Sequence, residues 1–449
     1  MKFKRIMAAV MAIVMCSSLV ACSGGAVEIS NESEALDTEN SEGPASEENQ
    51  AAADAGDDQV EISFSWWGSD ARHEYTMAAV EQFEEAHPNI KVNCTYLAFD
   101  SYEDFLKTAI ASKNVLDVVT INYNWIHEYT SDGEILKDLK DYSGTVKLDD
   151  YSAENLELAT VNDRIIGLPV ATSVETYFYN KDIYDQYGLD IPKSFDDLYA
   201  AAKVMKKDNI YPIVAGTKAM FIMAVSYAEQ VSGDNKRYMT VNGELLFDEA
   251  DVENMLLFYK KLVDESVVCR AETYDKSMLT EKKTAGLLGW VSDGSAWNDI
   301  RNEGGNVVVG DYLSIDGNSS PTWYSKPASL YCISADSQHP EEAALLLDFI
   351  AGSDEMMENQ KSEKGIPGSL RAQQYLKDKG YLQDSIELVA TDKYSSYQGA
   401  AQMSYYMEDT DVVNAFFDTA NQVIFDGRDS AEAAAELCEK IKTTVDAKR

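Results

Sequence analysis

The sequence predicts an α/β fold: a mainly parallel sheet covered by helices, with a second unit following it in the chain. Three observations carry this. From residue 60 onward, strand and helix signals alternate as β-α-β-α-β. At 449 residues the chain has room for two or three domains. Its hydrophobic content of 45%, with 10% aromatic residues, supplies sizeable cores.

The first strand signal is "VEISFSWW" at 60–67, where Ile62, Phe64 and Trp66 share one face and Trp67 takes the other. "HEYTMAAVEQFEEAHP" is a helix with Met77, Val80 and Phe83 on its apolar face, ended by Pro88. "NIKVNCTYLA" is the second strand. "SYEDFLKTAIASKN" is a helix that Ser101 is placed to cap, with Asp104 three residues on. "LDVVTINY" is a buried strand. Sheets of this kind bind ligands beyond the carboxyl ends of their strands. Trp67 and Asp70 fall at one such end; Asn122, Tyr123, Asn124 and Trp125 fall at another.

A second unit begins near "IIGLPVATSVETYFYN". Its strand "VETYFYN" alternates, which places Glu175, Tyr177 and Tyr179 on one side. Helices follow at "SFDDLYAAAKVMKK" and "DEADVENMLLFYKKLVDE". "TAGLLGWVSDGSAWNDI" reads as strand, glycine turn and helix start. "HPEEAALLLDFIAGSDEMMENQ" reads as one amphipathic helix, and the tail as helix broken at Gly427.

The chain opens with basic "MKFKR", then the apolar "IMAAVMAIVMCSSLVA", too short for a comfortable membrane span and laid out as an export signal. Leu19-Val20-Ala21-Cys22 resembles a bacterial lipobox, which implies cleavage at residue 21 and a lipid on Cys22. Residues 26–58 hold no Lys, Arg or aromatic residue and read as a disordered acidic tether. Together these imply an exported protein, lipid-anchored on the outer face of the cytoplasmic membrane and touching it through that anchor alone.

A net charge of −39 excludes a nucleic-acid binder, which needs cations to neutralise phosphate. His73, His87, His127 and His339 have no ligand spacing, and no calcium loop occurs, so neither metal nor cofactor is expected. Cys94, Cys269, Cys332 and Cys438 are scattered. Two disulfides and four free thiols are both compatible with that spacing.

Several stretches together resemble the family 1 extracellular solute-binding proteins of carbohydrate ABC importers, which are maltose-binding-protein-like. They are "ISFSWWG", "VEQFEEAHPNIKV", "LDVVTI", "IIGLPVATSVETYFYNKDIYDQYGLDIPKSFDDL", "TEKKTAGLLGW" and "HPEEAALLLDFI" with "KGIPGS". Leu116 stands where that family usually has Pro. The resemblance implies a two-lobed, type II periplasmic-binding-protein-like fold with a ligand cleft at the hinge and no catalysis. It places one lobe at 59–170 plus about 330–385, and the other at 171–329 plus about 386–449. It also implies a sugar ligand, ABC permease subunits as partners, and a monomer.

A sugar-binding cleft needs flat rings for C–H faces and polar groups for hydroxyls. Trp67, Trp125 and Trp323 are the candidate platforms, while Trp66 and Trp290 are open between core and cleft. Asp70 and Arg72 either grip hydroxyls or cap the next helix. Asn122 and Tyr123 match a ligand loop of that family, Thr172, Ser173, Glu175 and Tyr177 straddle its hinge strand, and Asp293 matches the edge of its second lobe. "PTWYSKP", with Trp323 and Tyr324, reads as a loop over the ligand, and Tyr405 and Tyr406 are further candidates. An anionic ligand would need clustered cations; only Arg72 and Lys326 stand near this cleft, which favours a neutral sugar, most simply an oligosaccharide. The rivals are the same fold with a polyamine or other small polar solute, a purely sensory lipoprotein, and a surface glycosidase using two of Asp70, Glu175 and Asp293.

Overall fold

The structure is a computed structural model that describes residues 59–130, 135–233, 236–317, 319–383 and 385–449. The export signal, Cys22 and the tether lie outside the described residues.

Strand β1 (Val60–Trp67) lies between β2 (Ile90–Leu97) and β3 (Val118–Asn122), parallel to both. Helix α1 (Asp70–Ala86) connects the first two and buries Thr76, Ala79, Val80 and Phe83. Helix α2 (Phe99–Ala111) connects β2 to β3. It begins before Ser101, at an Ala98 N-cap without a side-chain bond, so the expected Ser101 cap is not used. Ser329–Ile333 then pairs antiparallel with β3, and Leu168–Pro169 pairs antiparallel with that strand.

The second sheet runs Ala400–Gln402, Trp323–Pro327, Thr172–Asn180, Gly286–Trp290, Val214–Ala215, with Val307–Val309 also paired to Thr172–Asn180. The two-lobed α/β fold stands, but both sheets are mixed rather than mainly parallel. The reason is that the chain returns: Thr172–Asn180 leaves one sheet for the other, and Trp323–Pro327 comes back antiparallel beside it. Ala328 N–H donates to Ala171 O at 2.8 Å and Val170 N–H to Ser329 O at 2.9 Å, which ties the two crossings together. A third passage joins Leu382, packed with Met356 and Ala372, to Ile386, packed with Phe178 and Trp297.

Capping boxes at Ser194/Asp197 and Asp248/Asp251 open the helices Phe195–Met205 and Glu249–Asp264. The apolar run after His339 is two helices, Pro340–Gly352 and Asp354–Gln360. Ser353 breaks it, its hydroxyl accepting from Met356 N–H at 3.0 Å. Gly427, at φ 68°, separates the last two helices. The four cysteines among the described residues, Cys94, Cys269, Cys332 and Cys438, are free. No helix among the described residues is long and apolar enough to cross a membrane.

Candidate functional site

Strand alternation settles the fate of the paired tryptophans. Trp66 points into the first-lobe core at 2% exposure. It stacks on Phe64 at 4.8 Å, and its indole N–H donates to His73 Nδ1 at 3.2 Å. Trp67 points the other way and is half-buried. Phe99, Tyr102 and Trp125 back it at ring distances of 5.3–5.6 Å. Both rings border a cleft of about 170 Å³ at the carboxyl ends of β1 and β3. Arg72, Thr120, Asn122, Val170, Ala328, Ser329, Tyr331, Glu363 and Lys364 complete its lining. The cleft therefore lies beside the crossings between the two sheets, where parallel strand ends leave backbone and side chains free to meet a ligand.

Across the crossings, Trp290 at the end of its strand lines a second recess with Gly216, Thr217, Lys218, Tyr274 and Asp293. Lys326 bridges the two regions. Its ammonium lies 4.4 Å from the Trp290 ring centre, donates to Asn124 Oδ1 at 3.3 Å, and is paired with Glu408. Lys326 is 6% exposed and Glu408 2%. Glu175 is buried beside them, and neither of its carboxyl oxygens has a hydrogen-bond partner among the described residues. Burial, reinforced by Glu408, pushes the Glu175 carboxyl well above the usual carboxylate range, against the opposing pull of Lys326.

Trp67, Arg72 and Asn122 thus share one cleft, and Trp290 and Asp293 share a second, separate recess. Asn122 also caps the following turn by accepting from Asn124 N–H at 3.2 Å. Asp293 closes a turn, accepting from Trp290 N–H at 3.0 Å and from Lys276 at 3.2 Å. Ser173 and Glu175 are buried in the crossing strand, and Thr172 opens it.

The remaining candidates are elsewhere. Asp70 is exposed in the first turn of α1, where its charge favours the helix N-terminus. Trp125 is 6% exposed and serves as backing for Trp67. Tyr177 is fully buried between Tyr179 and Trp323. Trp323 is 1% exposed, and its indole N–H donates to Glu175 O at 2.6 Å. Tyr324 is 3% exposed and bonded to Glu229. "PTWYSKP" is therefore a buried strand and not a covering loop, because it finds partners at Ser173–Val174 and Ala400–Gln402 that no local pattern announces. Tyr123 is 1% exposed with its hydroxyl donating to Met403 O at 2.8 Å. With Tyr405 and Tyr406 it borders a separate cavity of about 680 Å³ that contains no tryptophan. Sequence reasoning missed Lys364, Glu363, Lys218 and Glu408; nothing in their local sequence distinguishes them from surface charges.

Residues 68–357 match the family model described as bacterial extracellular solute-binding protein. The chain is 23% identical over 341 residues to the melibiose/raffinose/stachyose-binding protein of Bacillus subtilis, covering 72% of this chain and 78% of that one. Among solved structures it resembles a periplasmic solute binding protein of Pectobacterium atrosepticum, with a TM-score of 0.79 and 25% identity over 87% of this chain and 99% of that one. It also resembles a periplasmic oligogalacturonide binding protein of Yersinia enterocolitica, with a TM-score of 0.77 and 25% identity over 87% and 99%.

Proposed function

From the premise that the chain belongs to the bacterial extracellular solute-binding proteins, we propose that it captures a sugar, specifically an oligosaccharide, and delivers it to the permease of an ABC importer. The observation that carries the sugar reading is the cleft itself. One half-buried indole, Trp67, stands in it with the Asn122 amide and the Ser329 hydroxyl, beside the Thr120 hydroxyl, which donates to Ser65 O at 3.0 Å and is left to accept. An indole face suits the C–H face of a pyranose, and amide and hydroxyl groups both donate to and accept from its hydroxyls. The melibiose/raffinose/stachyose-binding and oligogalacturonide-binding relatives are named for sugars of more than one unit, which supports the same class. A thermal-shift screen over mono- and oligosaccharides tests this. A ligand at 100 times its dissociation constant adds about 2.7 kcal/mol of stability. A panel of sugars that leaves the melting temperature unmoved, while a polyamine raises it, overturns the sugar reading.

Lipid attachment at Cys22 belongs to the same proposal. Cys22→Ala is expected to move the protein from the membrane fraction to the medium, with the affinity of the folded body unaltered. Continued sedimentation of the variant with membranes would contradict the anchor.

A further inference from the structure

The chain carries 77 acidic and 38 basic residues, yet its cleft presents cations without counter-ions. In the Trp67 cleft, Arg72 is matched: its Nε and Nη2 both bond Glu363, at 3.2 and 2.9 Å, and Tyr75 also donates to that carboxylate. Burial pushes the Glu363 carboxyl up, but the bonds and charge of Arg72 more than reverse this, so Glu363 stays ionised and the two charges cancel. Lys364 is left over. Its ammonium donates to Tyr331 OH at 2.5 Å, sits 5.2 Å from that ring's centre and 5.5 Å from that of Tyr75, and forms no ion pair among the described residues. In the recess across the crossings, Lys218 likewise has no hydrogen bond or ion pair among the described residues. It lies in the first turn of the helix Thr217–Ser232, whose N-terminus adds positive potential. The buried carboxylate Glu408 is already taken by Lys326, and burial holds the Glu175 carboxyl well above the usual carboxylate range.

An unpaired lysine in the wall of the Trp67 cleft, with a second in the separate recess beside Trp290, asks in so acidic a chain for a ligand that brings negative charge. Remote surface carboxylates are screened beyond about 10 Å at 0.1 M salt, so the cations inside the cleft dominate what a bound group meets. Resting on the sugar reading above, we propose that the solute is an acidic oligosaccharide, a uronate whose carboxylate takes the counter-ion place at Lys364 while a sugar ring lies on Trp67. This replaces the neutral ligand that the sequence favours.

The free Lys364 ammonium is lowered to about 7, chiefly by burial and then by Arg72. Binding of a carboxylate favours the protonated lysine. The protein must therefore take up a fraction of a proton near pH 7.5, and affinity must fall as pH rises above 7.

Calorimetric titration with digalacturonate, raffinose and citrate decides it. Digalacturonate is expected to bind at least about 10-fold more tightly than raffinose, and Lys364→Met to weaken it about 10- to 100-fold. Lys364→Arg is expected to restore much of the loss but not the proton uptake, which is read from titrations in buffers of different ionisation enthalpy. Thermal melts of each free variant establish that it folds. Raffinose binding as well as digalacturonate overturns the acidic ligand and leaves the sugar reading intact. Citrate binding as tightly as digalacturonate overturns the sugar half. Failure of every saccharide in the wider thermal screen would overturn the reading on which this rests.

Discussion

Lys326→Met is expected to destabilise the protein by about 3–5 kcal/mol. The substitution leaves Glu408, 2% exposed, as a buried carboxylate without its cation, and it removes the donor to Asn124. Leaving one member of a buried pair uncompensated is far more costly than removing both. Lys326→Met combined with Glu408→Leu is therefore expected to recover most of the loss. Equilibrium urea unfolding of both variants checks this; a single variant within about 1 kcal/mol of the parent would mean that the ion pair is not sealed from water. The effect also has a pH signature. Burial raises the Glu408 carboxyl, but Lys326, with Lys218 and the hydrogen bonds, outweighs it and holds the group below the usual carboxylate range. A depressed folded-state value contributes stability that is present above the unfolded value, about 4.3 for Glu, and is lost as pH falls through the folded one. The advantage of the parent over Lys326→Met should therefore shrink on acidification below about pH 4 and persist at pH 7.

The same network shows what a sequence can and cannot disclose. Strands β1 and β2 and helix α1 were legible because each buries one face, so periodicity announces the element and its orientation. The crossing strand Thr172–Asn180 buries every residue from Ser173 on, so its alternation does not separate cleft from core. Tyr177 and Tyr179 are accordingly in the core, although they share a face with Glu175. Trp323 failed for a different reason. Prolines on both sides make its segment read as a loop, and only pairing with strands about 150 residues earlier and 75 residues later in the chain makes it a strand. The charges of the cleft were the least legible part. Lys364 follows a helix of seven residues in an unremarkable polar run, and reaches Arg72 and Trp67 through tertiary packing alone.

The adjacent tryptophans remain the sharpest test of the site. Trp66→Ala removes a ring that is 2% exposed and packed on Phe64 and Tyr96 at 4.8 and 5.2 Å, with its N–H bonded to His73. The expected cost is about 3–5 kcal/mol of stability, with near-normal affinity in the molecules that fold. Trp67→Ala behaves differently because its ring does two things. Its back rests on Phe99, Tyr102 and Trp125, so some stability is lost; its open face borders the cleft, so a ligand loses its platform. The stability loss should be smaller than for Trp66→Ala, since part of the ring is already in water. The affinity loss should be about 2 kcal/mol or more, roughly 30-fold, as for a buried aromatic anchor at a binding site. Trp67→Phe keeps a flat ring and is expected to recover part of that affinity. Titration with the ligand identified by the thermal screen, together with melts of all three variants, separates the contributions. If Trp67→Ala binds as the parent does while melting early, Trp67 is packing for the Trp125 cluster and the ligand touches the cleft elsewhere. The next place to look would then be Trp290, whose ring already accepts one cation, that of Lys326.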